Sequence, residues 1–188
     1  MTADSPTANS RSLGTDLLVV AFLVGLIVAA RLLPHLPNFN PVVAAALFAG
    51  ATLGRRWLAL AVPVLGMLLS DLFLPSAHLG VSIVVYAALL LPALIGMFAR
   101  RFRPSRMVVP AALSSTLLFF VASNLAVWVF SGMYSHDTAG VAACFAAALP
   151  FLQYSIGGDL IWSVVLFGGA FLVHALAAHR AVPARSRA

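Results

Sequence analysis

Long apolar runs broken by prolines and arginines are the feature that most restricts how this chain can fold. They cover residues 17–33, 41–54, 57–74, 79–99, 107–130 and 156–178. A helix needs about 20 mostly apolar residues to cross a bilayer, and only helices and closed barrels satisfy their backbone hydrogen bonds there. The sequence has no β pattern of the soluble type. It therefore predicts an all-α membrane protein with six transmembrane helices.

Two of the apolar stretches are short. At 1.5 Å per residue, residues 41–54 would reach about 21 Å, which is less than the ~30 Å of a hydrocarbon core. We expect the outer end of this span to stop below the membrane surface and leave a concave space above it, which we call the bowl. The stretch "GVAACFAAALPFLQY", residues 140–154, predicts a further short helix on the extracytoplasmic side before the last span. Bent at Pro150, it could cover the bowl as a lid.

Composition agrees with one membrane domain. The chain is 62% hydrophobic and 9% charged, whereas soluble domains average about 25% charged residues. We expect a disordered cytoplasmic N-terminus at residues 1–14, a single domain at 15–179 and a basic cytoplasmic tail at 180–188. Cleavage of the first run as a signal peptide is the alternative at the N-terminus. A single cysteine, Cys144, excludes an intrachain disulfide.

The arginines predict the orientation. All 11 basic residues are arginines, and with six spans every one except Arg31 falls on the same side. Positive charge marks the cytoplasmic side, so both termini should be cytoplasmic in a bacterial cytoplasmic membrane, with lipid as a partner. The net charge of +6 comes from arginines between apolar runs, so we expect no nucleic acid partner.

Polar residues are concentrated on the side of the predicted bundle that is opposite the arginines. Ionisable groups at membrane depth are costly and usually pair or face a cavity, and Arg31, Asp71 and Asp159 have complementary charges at similar predicted depth. We hypothesise that they meet around an outward-facing cavity. A purely structural pair of Arg31 with either aspartate is the alternative, and helix capping is the alternative for Asp159. The candidate substrate-binding residues are Arg31, His35, Asn38, Asn40, Asp71, Asn124, Trp128 and Asp159.

Small residues form a stripe along one face of the predicted second span. Ala46, Gly50 and Gly54 recur every four residues, which is typical of close helix contact. The stripe could pack inside the chain or dock another membrane subunit. The spacing of the histidines matches no metal motif, so we expect neither a metal nor a cofactor.

Four motifs are distinctive: "RLLPHLPNFNPVVAAALFAGA", "SD" at Ser70 and Asp71, "CFAAALPF" and "GGDL". On these motifs the sequence resembles a family of small bacterial membrane proteins of unknown function, to which a transport role is ascribed. The resemblance covers about residues 15–175 and departs at Leu36 and Ser135, where the family pattern has proline. It implies roles for Arg31, His35, Asn38, Phe39, Pro41, Asp71, Pro150 and Asp159.

The six-helix plan is also similar to the S components of energy-coupling factor transporters. These proteins bind substrate at the outer side and dock onto a coupling subunit driven by ATPases.

These patterns favour a small-molecule transport protein over an enzyme. We expect a vitamin-like or anionic substrate in the outer cavity, with Arg31 contacting an anionic group. A coupling subunit with ATPases is a further expected partner. One alternative is a membrane enzyme that uses Asp71, Asp159 and His35 at the outer surface. Another is a structural subunit of a membrane complex.

Overall fold

The computed structural model describes residues 12–75, 78–102 and 104–181, and this part of the chain is helical without a strand. The all-α plan with six helices is confirmed. The predicted N-terminal segment and basic tail lie largely outside the described residues. The helices are α1 (Leu13–Leu32), α2 (Val42–Thr52), α3 (Arg56–Asp71), α4 (Leu79–Ala99), α5 (Pro104–Phe130) and α6 (Thr138–Ala181).

The helices differ in how far they can reach across a membrane. Four segments are long and apolar enough to cross it: Leu13–Leu32, Leu79–Ala99, Arg106–Phe130 and Thr138–His179. α2 is short, as predicted, with 11 residues. α3, which is predicted to be a full span, has 16 residues and reaches about 24 Å. It ends at Asp71, whose side chain engages α1 and α4.

α2 is the centre of the fold. Its residues from Val42 to Gly50 are all buried, and it packs against each of the other five helices. A helix that is apolar on every face lies either in a protein core or against lipid, and here the other helices bury it. α2 therefore holds the bundle together, and Val43 in its first turn lines a cavity.

Small residues bring the backbones of α2 and α4 together. A Cβ atom added at Gly50 would lie 1.9 Å from the carbonyl oxygen of Ala93. One added at Gly96 would lie 2.1 Å from the carbonyl oxygen of Leu47. Ala46 is fully buried as well. The docking interpretation is therefore wrong for Ala46 and Gly50, because both pack inside the chain. Gly54, at the arginine-rich end, is exposed.

α6 is much longer than one crossing requires. Its 44 residues extend about 66 Å. The predicted helix at residues 140–154 exists, but it is continuous with the last span and is not a separate element. Pro150 removes one backbone donor without ending the helix. The segment forms a wall of the outer cavity through Ala148 and Phe151.

Asp137 fixes the start of α6. Its carboxylate accepts hydrogen bonds from the Gly140 N–H, at 2.7 Å, and from the Ser135 hydroxyl, at 2.8 Å. These bonds, led by the one from Gly140, hold the pKa of the Asp137 carboxyl below its ordinary value. Negative charge is also favoured at a helix N-terminus, so Asp137 caps α6 while ionised.

Gly50→Ala should lower the melting temperature of the detergent-solubilised chain. The new methyl group would meet the Ala93 carbonyl oxygen, so α2 and α4 would have to separate. Adding atoms to a well-packed contact costs about 1–3 kcal/mol. Circular dichroism during heating measures the change.

Gly168→Ala is the matched control. Gly168 is also helical, but an added Cβ atom meets nothing within 4 Å. Because alanine favours a helix over glycine, stability should stay the same or rise. Equal losses in the two variants would contradict the close packing of α2 on α4.

Candidate functional site

The structure divides the polar residues of the predicted outer side into two clusters. Arg31 and Asp71 meet between α1 and α3, whereas Asp159 of α6 lies beside Thr116 of α5. α2 packs against both α1 and α6, and those two helices do not pack against each other. The hypothesis of one cavity surrounded by all three ionisable side chains is therefore wrong. Arg31 pairs with Asp71.

The cluster around Arg31 joins three helices. Arg31 Nη1 donates to Asp71 Oδ1 at 2.7 Å and to the Ser70 hydroxyl. The Tyr86 hydroxyl of α4 donates to Asp71 Oδ2 at 2.7 Å. Both oxygens of the carboxylate are thus engaged, and the guanidinium is neutralised by its neighbour.

This cluster is built to hold α1, α3 and α4 together. It lies beside a groove of about 740 Å³ that Arg31, Asp71 and Tyr86 help to line. The side chains of Arg31 and Asp71 are 19% and 38% exposed, so the pair is only partly covered by the protein. Binding an anion at Arg31 would require breaking a charge-assisted hydrogen bond, which is among the stronger contacts in proteins. The expected contact of Arg31 with an anionic substrate is not favoured by this geometry.

The second cluster lines a cavity of about 320 Å³ between α5, α6 and the loop before α2. Four predicted site residues meet there, together with hydroxyl groups and phenyl rings from α5 and α6. The cavity is near the lower end of the volumes of ligand sites, so it suits a small molecule. Its polar lining residues are Asn38, Asn40, Asn124, Asp159, Thr116, Ser123 and Ser155, and its aromatic ones are Phe119, Phe120 and Phe151.

Asp159 supplies the carboxyl group of this cavity. It is 4% exposed, and its Oδ2 lies 2.6 Å from the Thr116 hydroxyl oxygen. The glycine before it makes this position possible, because a Cβ atom at Gly158 would lie 3.2 Å from the Cα atom of Phe39. The loop before α2 therefore packs directly onto α6 next to the carboxyl group.

The loop between α1 and α2 places two amides at the cavity. Asn38 has a φ of 60°, a left-handed conformation that asparagine tolerates better than most residues. A turn closes around it, since the Phe39 N–H donates to the Leu36 carbonyl at 3.0 Å. Asn40 Oδ1 accepts a hydrogen bond from the N–H of Val42, the first residue of α2, at 3.2 Å. The polar loop thus connects the short central helix to α1 and supplies two polar lining residues.

The polar groups that α5 and α6 present to the cavity are mainly hydrogen-bond acceptors. The amide nitrogen of Asn124 donates to the Phe120 carbonyl at 2.8 Å, which leaves its side-chain oxygen to accept. Asp159 adds carboxyl oxygens. Among the described residues that line the cavity there is no arginine or histidine. The cavity therefore matches a ligand with donor groups or a positive charge.

Besides Arg31 and Asp71, two more predicted site residues lie outside this cavity. The His35 ring is exposed, and its Nδ1 lies 2.8 Å from the Leu33 carbonyl oxygen. The Trp128 indole N–H donates to the Ser135 carbonyl at 2.9 Å, and the ring packs edge-on against His136. Both side chains contact backbone carbonyl groups of loop residues and do not face the cavity. In the described part of the chain, no group of three or more His, Cys, Asp or Glu side chains is arranged to hold a metal ion.

Sequence reasoning missed the polar contact at the arginine-rich end. Asp16 is fully buried, and its Oδ2 accepts from Arg55 Nη1 at 2.8 Å, while Oδ1 has no partner within the described structure. An aspartate beside an apolar run and an arginine between two spans were the available signals. Thr116 was also missed, because its sequence neighbourhood indicates only helix packing.

Arg31→Gln and Asp71→Asn should each lower the melting temperature, and the double variant should lose less than the sum of the two losses. Removing one partner of a charged hydrogen bond leaves the other unsatisfied, at a cost of about 1–3 kcal/mol. Thermal unfolding of both single variants and the double variant in detergent gives the coupling.

The control cycle combines Arg31→Gln with Asp159→Asn. Sites without shared partners add to within about 0.5 kcal/mol, so this pair should show no coupling. Additive losses for Arg31 and Asp71 together with coupling to Asp159 would contradict the observed pairing.

Comparison with known proteins places the chain in a family. No curated protein and no solved structure matches the chain. A family model matches residues 11–183 and is described as a family of unknown function, DUF6580. The match includes the loop before α2 and the helices that form both polar clusters. The chain therefore belongs to the DUF6580 family.

Proposed function

We propose that this chain is a small-molecule transport protein that binds its substrate in the cavity between α5, α6 and the loop before α2. The observation that carries the proposal is the buried carboxyl group of Asp159 at a cavity of about 320 Å³. A carboxyl group in an apolar bundle is costly unless it is paired or functional. Thr116 supplies one hydrogen bond to it, and a bound ligand would supply more.

The lining indicates the class of substrate. Asp159 and the Asn124 side-chain oxygen offer acceptors, and the phenyl rings of Phe119, Phe120 and Phe151 offer apolar faces. A cation gains from both, because aromatic faces attract positive charge and a carboxylate neutralises it. The substrate is therefore a small polar molecule with an amine, a cationic group or several donors. This replaces the anionic substrate expected from Arg31, which lies outside the cavity.

The position of the cavity supports uptake from one side. Its lining begins on the side remote from most of the arginines, with Asn38 before α2 and Asn124 near the end of α5, and it extends to Thr116 and Asp159 in the middle of their helices. If the arginine-rich side is cytoplasmic, as positive charge predicts, the cavity belongs to the extracytoplasmic half of a bacterial cytoplasmic membrane. Both termini are then cytoplasmic.

The proposal leaves open whether the chain works alone or as the substrate-binding subunit of a larger transporter. The similarity to S components remains one of architecture. Docking through Ala46 and Gly50 has lost its support because both are buried, so a coupling subunit would have to bind another face. The enzyme alternative needs Asp71, Asp159 and His35 in one site. It is not favoured, because Asp71 and His35 do not line the cavity that holds Asp159.

Asp159→Asn should release a bound small molecule from the purified chain. The carboxylate is the charged acceptor of the cavity, and losing a charge-assisted hydrogen bond lowers affinity about tenfold or more. Mass spectrometry of small molecules freed by denaturing the detergent-purified protein measures retention and identifies the compound. We expect a compound that carries an amine, a cation or several donors.

Asp71→Asn is the matched control, because it makes the same chemical change at a carboxylate outside the cavity. It should retain the compound while it lowers stability. Retention that is unchanged in a folded Asp159→Asn variant, or an anionic compound in the wild type, would contradict the proposal. So would the absence of any retained compound.

A further inference from the structure

We propose a second binding site, for an anionic phospholipid, in a groove at the arginine-rich end of the bundle. The groove has a volume of about 300 Å³ and lies between α2, α4, α5 and α6. None of its lining residues lines the outer cavity. The proposal therefore stands independently of the function assigned to Asp159.

The walls of the groove suit an acyl chain. They are formed mainly by apolar side chains, among them Leu47 and Phe48 of α2, Met107 of α5 and Phe167 and Phe171 of α6. Phe171 is 76% exposed and continues the apolar surface of α6 outwards. A hydrocarbon chain lying there would cover this exposed surface and extend between the helices.

The rim of the groove suits a negatively charged headgroup. Arg100 lies at the end of α4, and its Nη1 donates to the Leu53 carbonyl at 3.4 Å. This bond directs the guanidinium towards the end of α2, and a guanidinium has five N–H donors in all. Thr52 and His174 add polar side chains to the rim, and no acidic residue is among the described ones that line the groove.

The two parts together select one kind of ligand. Free phosphate would use the arginine and leave the apolar walls uncovered, and a zwitterionic lipid would bring no net charge. Basic pockets between transmembrane helices on the cytoplasmic side are suited to anionic lipid headgroups. An anionic phospholipid in the leaflet at the arginine-rich end satisfies both the rim and the walls.

Arg100→Gln should weaken retention of an anionic phospholipid by the purified full-length chain. Native mass spectrometry in detergent would compare phosphatidylglycerol and phosphatidylcholine with identical acyl chains, with inorganic phosphate as a separate arm. We expect the wild type to retain one phosphatidylglycerol in preference to phosphatidylcholine. Removing one charge-assisted contact should lower that retention about tenfold.

Arg101→Gln is the matched control, because it removes the same charge one residue away. Arg101 packs over the Phe98 ring at 5.8 Å and does not line the groove. Its retention of phosphatidylglycerol should stay within about twofold of the wild type, as for an exposed charge. Equal losses in the two variants, equal retention of the two lipids, or displacement of the lipid by phosphate alone would overturn the proposal.

Ala170→Leu tests whether an acyl chain occupies the groove, because it changes the wall without changing charge. It keeps the proposal testable if Arg100→Gln does not fold. Ala170 lines the groove, so the larger side chain should displace the acyl chain and lower phosphatidylglycerol retention. Ala177→Leu, at an exposed position of the same helix, should retain the lipid. Equal retention by these two variants would overturn the proposal.

Discussion

Charged side chains inside this apolar bundle find polar partners within the chain, and these contacts organise the structure. Hydrocarbon offers no hydrogen bonds, so each polar side chain at depth needs a neighbour or a water-filled space. Asp71 meets Arg31 and Tyr86 at one end, and Asp16 meets Arg55 at the other. The two ion pairs join α1 to the rest of the bundle near both of its ends. α2, with no charged side chain, is covered on every face.

Asp159 differs in its surroundings from Asp16 and Asp71, the two aspartates that form ion pairs. Asp16 and Asp71 each face an arginine, whereas Asp159 has the hydroxyl of Thr116 and a cavity. A carboxyl group without an opposite charge beside it can still be used by a ligand. The proposed function assigns binding and structure to different carboxyl groups, and the loop before α2 brings its amides to Asp159, the carboxyl group proposed to bind. On this proposal, the polar, proline-rich loop that interrupts such an apolar sequence supplies part of the binding site.

Hydropathy and arginine placement could predict the helices and the polar half of the bundle, because both depend on local composition. They also placed Asn38, Asn40, Asn124 and Asp159 at one level, and these four meet. The partner of Arg31 could not be predicted, because it depends on which helices are neighbours. The same limit applies to Ala46 and Gly50. Small residues at helical spacing indicate close packing, but they do not identify the helix that packs there.

The central claim is that the cavity beside Asp159 opens to the side opposite the arginines. The most direct measurement is labelling of an Asn124→Cys variant, with Cys144 replaced by alanine, by a membrane-impermeant maleimide in intact cells. Ala126→Cys is the control on the same helix, since Ala126 is 2% exposed. The proposed orientation predicts labelling at position 124 from outside, and the burial of Ala126 predicts none at 126. Labelling at 124 only after the membrane is permeabilised, or equal labelling at both positions, would contradict it.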